Sequence, residues 1–148
     1  MFAIKILLLV TLSSMLMNGH AAAHKIRMLN SGTEGYMLFE PPILSVELGD
    51  TVTFEATDLS HNSASIEGMI PEGAVPWDGN LNQDVTITLD TPGIYVYQCT
   101  PHAMMAMVGV INVGESKQNL STVKQAAALK KRSFVTNKDR LDQYLSRL

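Results

Sequence analysis

The sequence predicts a mainly β fold, a sandwich or barrel, followed by two helices at the C-terminal end. Three observations predict it. Short runs of β-forming residues separated by turn residues fill positions 25–113. Two of those runs, 51–56 (TVTFEA) and 84–89 (DVTITL), alternate polar and apolar residues, as a strand with one buried face does. After Gly114 the apolar residues change to helical spacing.

Taken in order, the chain opens with Lys5 ahead of an apolar run at 6–17, then Ala21-Ala22-Ala23. The run is too short to span a membrane, and with the A-x-A site it reads as a secretory leader, residues 1–23, cut after Ala23. Residues 24–148 then form a single exported domain, with 24–114 the β body and 115–148 a helical extension. Candidate strands are 25–29, 43–47, 51–56, 84–89, 94–99 and 108–113. Gly49-Asp50 and Thr91-Pro92-Gly93 supply turn chemistry between them. Residues 68–83 (GMIPEGAVPWDGNLNQ) have no period and read as a long ordered loop. Asn119 is placed to cap a helix with Leu120, Val123 and Ala127 on its inner face. Thr136 or Asn137 starts a second, with Leu141, Tyr144, Leu145 and Leu148 on one side. Both are too short to persist alone in water, so they must dock on the β body.

The charge is segregated. Every acid except Asp139 and Asp142 lies between Glu34 and Glu115, and no Lys or Arg occurs between Arg27 and Lys117. An acidic body argues against nucleic acid as a partner. The basic tail reads as the solvated face of two packed helices.

The chemistry concentrates at 99–109, CTPHAMMAMVG, which holds the chain's one cysteine. A lone exported thiol cannot pair internally, so it needs a partner chain, a metal or burial. Cys99, His102 and Met107 stand at C-x2-H-x4-M on a loop joining two strands. Thiolate, imidazole and thioether suit copper, Cu(I) above all, better than hard cations. Zinc is the alternative, although thioether is not among its usual ligands. A trigonal His2Cys site needs a second histidine. His20 leaves with the leader and His24 lies at the terminus, which leaves His61, just after the strand at 51–56. Asn62 follows it, placed to bond across to the backbone beside Cys99 and tie the two loops together. Against this stand plainer readings: Cys99 as a small buried hydrophobe, Met104, Met105 and Met107 as core filler, His61 as a surface residue. A Cys99–His102 nucleophile is a further reading, but no orienting acid or oxyanion-hole motif accompanies it. Around His102, residues Pro101, Ala103, Met104 and Met105 would form an apolar collar.

With these residues in view, the chain resembles the pseudoazurin family, type 1 (blue) copper proteins of the cupredoxin fold. RMLNSGTEGYMLFEPP at 27–42, ELGDTVTFEATDLSHN at 47–62, SIEGMIPEGA at 65–74 and CTPHAMMAMVGVINVG at 99–114 carry the resemblance across the β body, and the helical tail extends it. It implies a cupredoxin-type Greek-key β-sandwich of about eight strands with two C-terminal helices. It implies one copper ion per chain, cycling between Cu(II) and Cu(I), with His61, Cys99 and His102 as equatorial ligands and Met107 as the long axial one. Asn62 and Pro101 would support the site, and Met37 would lie near the His102 ring. The function implied is that of a periplasmic one-electron carrier and not an enzyme. It would be a monomer, without membrane attachment once the leader is removed. Its partner would be copper nitrite reductase or another periplasmic reductase or dehydrogenase, docking transiently on Pro101, Ala103, Met104 and Met105. One departure stands out. Where the family rings this patch with lysines, this chain has Ser31, Leu59, Trp77-Asp78 and Gln98. The remaining alternative is a periplasmic Cu(I) trafficking or storage protein using the methionine-rich loop.

Overall fold

The computed structural model describes residues 21–148, so nearly all of the expected leader lies outside the described residues. Eight strands form two four-stranded sheets. They are β1 (Ala23–Gly32), β2 (Gly35–Glu40), β3 (Ile43–Val46), β4 (Thr51–Glu55), β5 (Ala64–Ser65), β6 (Val85–Thr88), β7 (Gly93–Gln98) and β8 (Val108–Val113). One sheet runs β2-β1-β4-β6 and the other β3-β8-β7-β5. Within them β1 lies parallel to β4 and β3 parallel to β8, while the remaining pairs are antiparallel. Two helices follow, α1 (Leu120–Lys130) and α2 (Arg140–Ser146). No helix among the described residues is long and apolar enough to cross a membrane.

The alternation in β4 is realised physically. Val52 and Phe54 are fully buried, while Thr51, Thr53 and Glu55 face outward and Thr53 meets Thr86 across the sheet. Their aromatic neighbours close the space between the sheets. The Tyr97 ring meets the rings of Phe39 and Phe54 edge-on at 4.7 and 4.8 Å, and Trp77 stacks on Phe54 at 5.7 Å. Burying each such ring contributes about 2 kcal/mol, with further gain from edge-on geometry.

β7 and β8 read differently, as almost unbroken apolar runs, because both of their faces are covered. Tyr95, Tyr97, Ile111 and Val113 face the other sheet. Ile94, Val96, Val108 and Val110 face the helices, against Val123, Ala127, Leu141, Tyr144 and Leu145. The helical tail therefore covers the outer face of the sheet that carries Cys99. Gly109 is where a side chain is forbidden: an added Cβ would sit 2.2 Å from the Tyr97 hydroxyl.

Several expectations change. β2 and the two-residue β5 carry no alternation that marks them in sequence. Asn119 is the N-cap residue of α1, but its side chain makes no capping bond. Its side chain instead accepts from Ile94 N–H and donates to Ile94 C=O, both at 2.8 Å, pinning the start of α1 to β7. The second helix begins at Arg140, not at Thr136 or Asn137, because Asn137 adopts a left-handed φ of 51° that breaks helical continuity. The loop at 68–83 has no regular structure beyond a single bridge from Asp78 to Ala64.

Candidate metal centre

Cys99 immediately follows β7 and is fully buried; its amide donates to the Met107 carbonyl at 2.9 Å. The chain then turns through a short 3-10 helix, Ala103–Met105, and re-enters the sheet as β8. That tight excursion places His102 back over the Cys99 sulfur. His61 arrives from the loop after β4 and is fully buried. Its backbone is fixed by the 80–82 loop, with the Asn82 amide donating to His61 C=O at 2.8 Å.

Three donor atoms converge. Cys99 Sγ lies 3.6 Å from His61 Nδ1 and 3.4 Å from His102 Nδ1, and the two Nδ1 atoms are 3.1 Å apart. All fall within 4.8 Å of one another. His61 Nε2 donates to Asn30 Oδ1 at 3.0 Å, since an amide oxygen can only accept, so its Nδ1 presents a lone pair inward. Burial lowers the His61 pKa below the ordinary value, and the charge of His102 lowers it further, which favours the neutral, ligating imidazole. Burial pushes the Cys99 thiol up, so ionising it at neutral pH requires a cation beside the sulfur. A soft sulfur and two imidazole nitrogens facing one point, inside an apolar shell, fit a single copper ion.

The other expected residues fall as follows. Met107 is fully buried in the same core cluster as Cys99. Asn62 Oδ1 accepts the Thr100 amide at 2.7 Å, and its Nδ2 donates to Gly79 C=O at 3.0 Å and to Thr100 Oγ1 at 3.2 Å. Met37 is half-buried against the core, at a left-handed φ of 49°. Pro101 is exposed, Ala103 and Met105 are partly covered, and Met104 is 56% exposed. Sequence reasoning missed two residues here. Asn30, which orients His61, carries no local signal, because its role depends on β1 meeting the loop after β4. Arg140 had only a weak one: it stands one helical turn before Tyr144, on the side expected to pack, which leaves a long arginine free to reach solvent.

The chain matches the family of copper binding proteins described as plastocyanin/azurin over residues 26–114. A putative pseudoazurin from Rhizobium leguminosarum bv. viciae is 46% identical over 106 residues, covering 72% of this chain and 70% of that one. A pseudoazurin from Paracoccus pantotrophus is 42% identical over 113 residues, covering 76% and 78%. The crystal structure of native pseudoazurin from Hyphomicrobium denitrificans superposes with a TM-score of 0.77 at 35% identity, covering 86% of this chain and 98% of that one. The family match, the identity to these relatives and the superposition lead to one conclusion: this chain belongs to the plastocyanin/azurin family of copper-binding proteins, within its pseudoazurin group, and is an electron carrier and not an enzyme.

Proposed function

We propose that His61, Cys99, His102 and Met107 hold the copper ion, and that the protein carries single electrons in the periplasm to a reductase such as a copper nitrite reductase. The observation that carries the reading is the approach of the His61, Cys99 and His102 donor atoms to within 4.8 Å of one another. Bound copper supplies the redox change, accepting one electron as Cu(II) and releasing it as Cu(I). The protein's part is to keep the donors still while that happens. Asn30 fixes the His61 ring, and Asn62 bonds the His61 loop to the strand end at Thr100. Constraints of this kind limit movement on electron arrival and so lower the barrier to exchange.

Electrons would pass through His102, which is only partly covered. Pro101, Ala103, Met104 and Met105 surround it in sequence, and the Val135 amide donates to Met104 C=O at 2.7 Å, so the 63% exposed Val135 joins the rim. A small apolar patch with an adaptable methionine suits a brief redox encounter by a monomer. The β body offers no lysine around this patch. From the tail, Asn137 reaches this loop by a bond from its side chain to Met105 C=O, a neutral contact. The electrostatic pull toward an acidic partner is therefore weak, and the partner's dock is apolar or basic.

Adding Cu(II) to the copper-free protein tests the reading. One equivalent should give a blue colour from thiolate-to-copper charge transfer, abolished by Cys99→Ser. Labile, colourless Cu(I) as the stable form would instead indicate trafficking or storage. For the partner, a rate of electron transfer to an acidic reductase that falls steeply with added salt would refute the weak-steering reading.

A further inference from the structure

Arg140 is the buried charge in the tail that the copper ligands leave unexplained. It is 7% exposed, yet it pairs with no carboxylate among the described residues. Its guanidinium bonds only to backbone carbonyls: Nη1 to Met37 at 2.8 Å and Ala106 at 3.0 Å, and Nη2 to Tyr36 at 3.0 Å. Two of these carbonyls belong to non-glycine residues in the left-handed region, Met37 at φ 49° and Ala106 at φ 56°. Such conformations persist only where the surroundings over-determine them.

The location of those carbonyls matters. Ala106 closes the 3-10 turn that follows His102 and immediately precedes Met107. The last carbonyls of any helical turn lack partners within it. Here the tail supplies them in sequence. Val135 N–H donates to Met104 C=O at 2.7 Å, Asn137 Nδ2 to Met105 C=O at 3.2 Å, and Arg140 Nη1 to Ala106 C=O. Three consecutive carbonyls of the ligand loop are thus held by one stretch of the C-terminal extension, and Arg140 ties the last of them to β2.

We propose that Arg140 is a positioning residue for the metal centre. It locks the turn between His102 and Met107, so that the helical tail sets the placement of the Met107 thioether. Its unneutralised charge beside that turn disfavours Cu(II) relative to Cu(I), which raises the reduction potential. The inference rests on the ligand assignment proposed above.

The test uses the full mature protein loaded with copper, as wild type, R140K and R140Q. Visible and paramagnetic-resonance spectra, the reduction potential and hydrogen exchange at the Met107 amide are read on each. R140Q is expected to stay blue with a changed balance of charge-transfer bands, a lower potential and faster exchange at Met107. R140K, which keeps the charge but not the fork of donors, should show the spectral change with a smaller fall in potential. Folded variants with wild-type spectrum, potential and exchange would reduce Arg140 to a fold staple and overturn the proposal. If R140Q does not fold, Asn137→Gly decides, since glycine tolerates the left-handed φ of 51° and the change removes the side-chain donor to Met105: a spectral change in the same direction supports the lock and none overturns it. A wild type that never turns blue sinks the ligand assignment instead, so the two failures are distinguishable.

Discussion

Replacing Asn62 by alanine should cost about 2–3 kcal/mol of folding stability. The side chain is 6% exposed and makes two well-formed backbone bonds, from Thr100 N–H at 2.7 Å and to Gly79 C=O at 3.0 Å, plus one to Thr100 Oγ1 at 3.2 Å. Each bond is worth about 1 kcal/mol net, and the stranded backbone groups carry a desolvation cost of similar size. Thr100 is exposed, so water recovers part of its share, which holds the total near the lower sum. In a domain of this size the melting temperature should fall by roughly 10 °C. Denaturant unfolding of the copper-free protein measures it, with Trp77, the chain's one tryptophan, as the fluorophore, partly buried against the core and stacked on Phe54. A loss under about 0.5 kcal/mol with an unchanged denaturant slope would refute the claim that Asn62 joins the two ligand loops.

Three further outcomes are expected. Tyr97→Phe should leave stability unchanged or raise it by about 1 kcal/mol, because the buried hydroxyl has no hydrogen-bond partner among the described residues; a clear loss in chemical unfolding would show that it does have one. Asp50 is held below the ordinary carboxylate pKa, first by its bond with His24 and then by the amides of Ala22 and Glu47. Its stabilisation is therefore complete above the unfolded carboxylate pKa and is lost as pH falls through the lower folded value. Asp50→Asn should flatten the acid side of the stability–pH curve, and a curve parallel to wild type from neutral pH down to about pH 3 would contradict it. Finally, mass measurement of the exported protein should give a chain beginning at His24, which removes the bonds from Ala22 N–H to Asp50 Oδ1 and from Thr51 N–H to Ala22 C=O; a heavier chain that keeps Ala22 would place the cut earlier.

The β body could be read from the sequence because its signals are local. The alternation in β4 and β6 and the turn residues between strands each act within a few positions. The same holds for the ligand loop, where Cys99, His102 and Met107 are joined by one tight turn. His61 could be named because few histidines remained, but nothing local brought it to Cys99. The sheets that carry the two loops, and the bonds from Asn62 to Thr100 and from Asn82 to His61, did that. Asn119 shows the limit of local inference: a good capping residue bonded instead to a strand 25 positions away, where two unpaired backbone groups waited.

By itself, the order of residues determined the strand runs, the segregated charge and the soft donor set, since propensity, period and ligand chemistry belong to neighbouring side chains. Only the tertiary structure decided that Asn30 orients His61, that both faces of β7 and β8 are covered, and that a tail arginine grips the turn before Met107. Those outcomes depend on which distant backbone groups lack partners once the sheets have formed, and no short window of sequence contains both halves of such a bond.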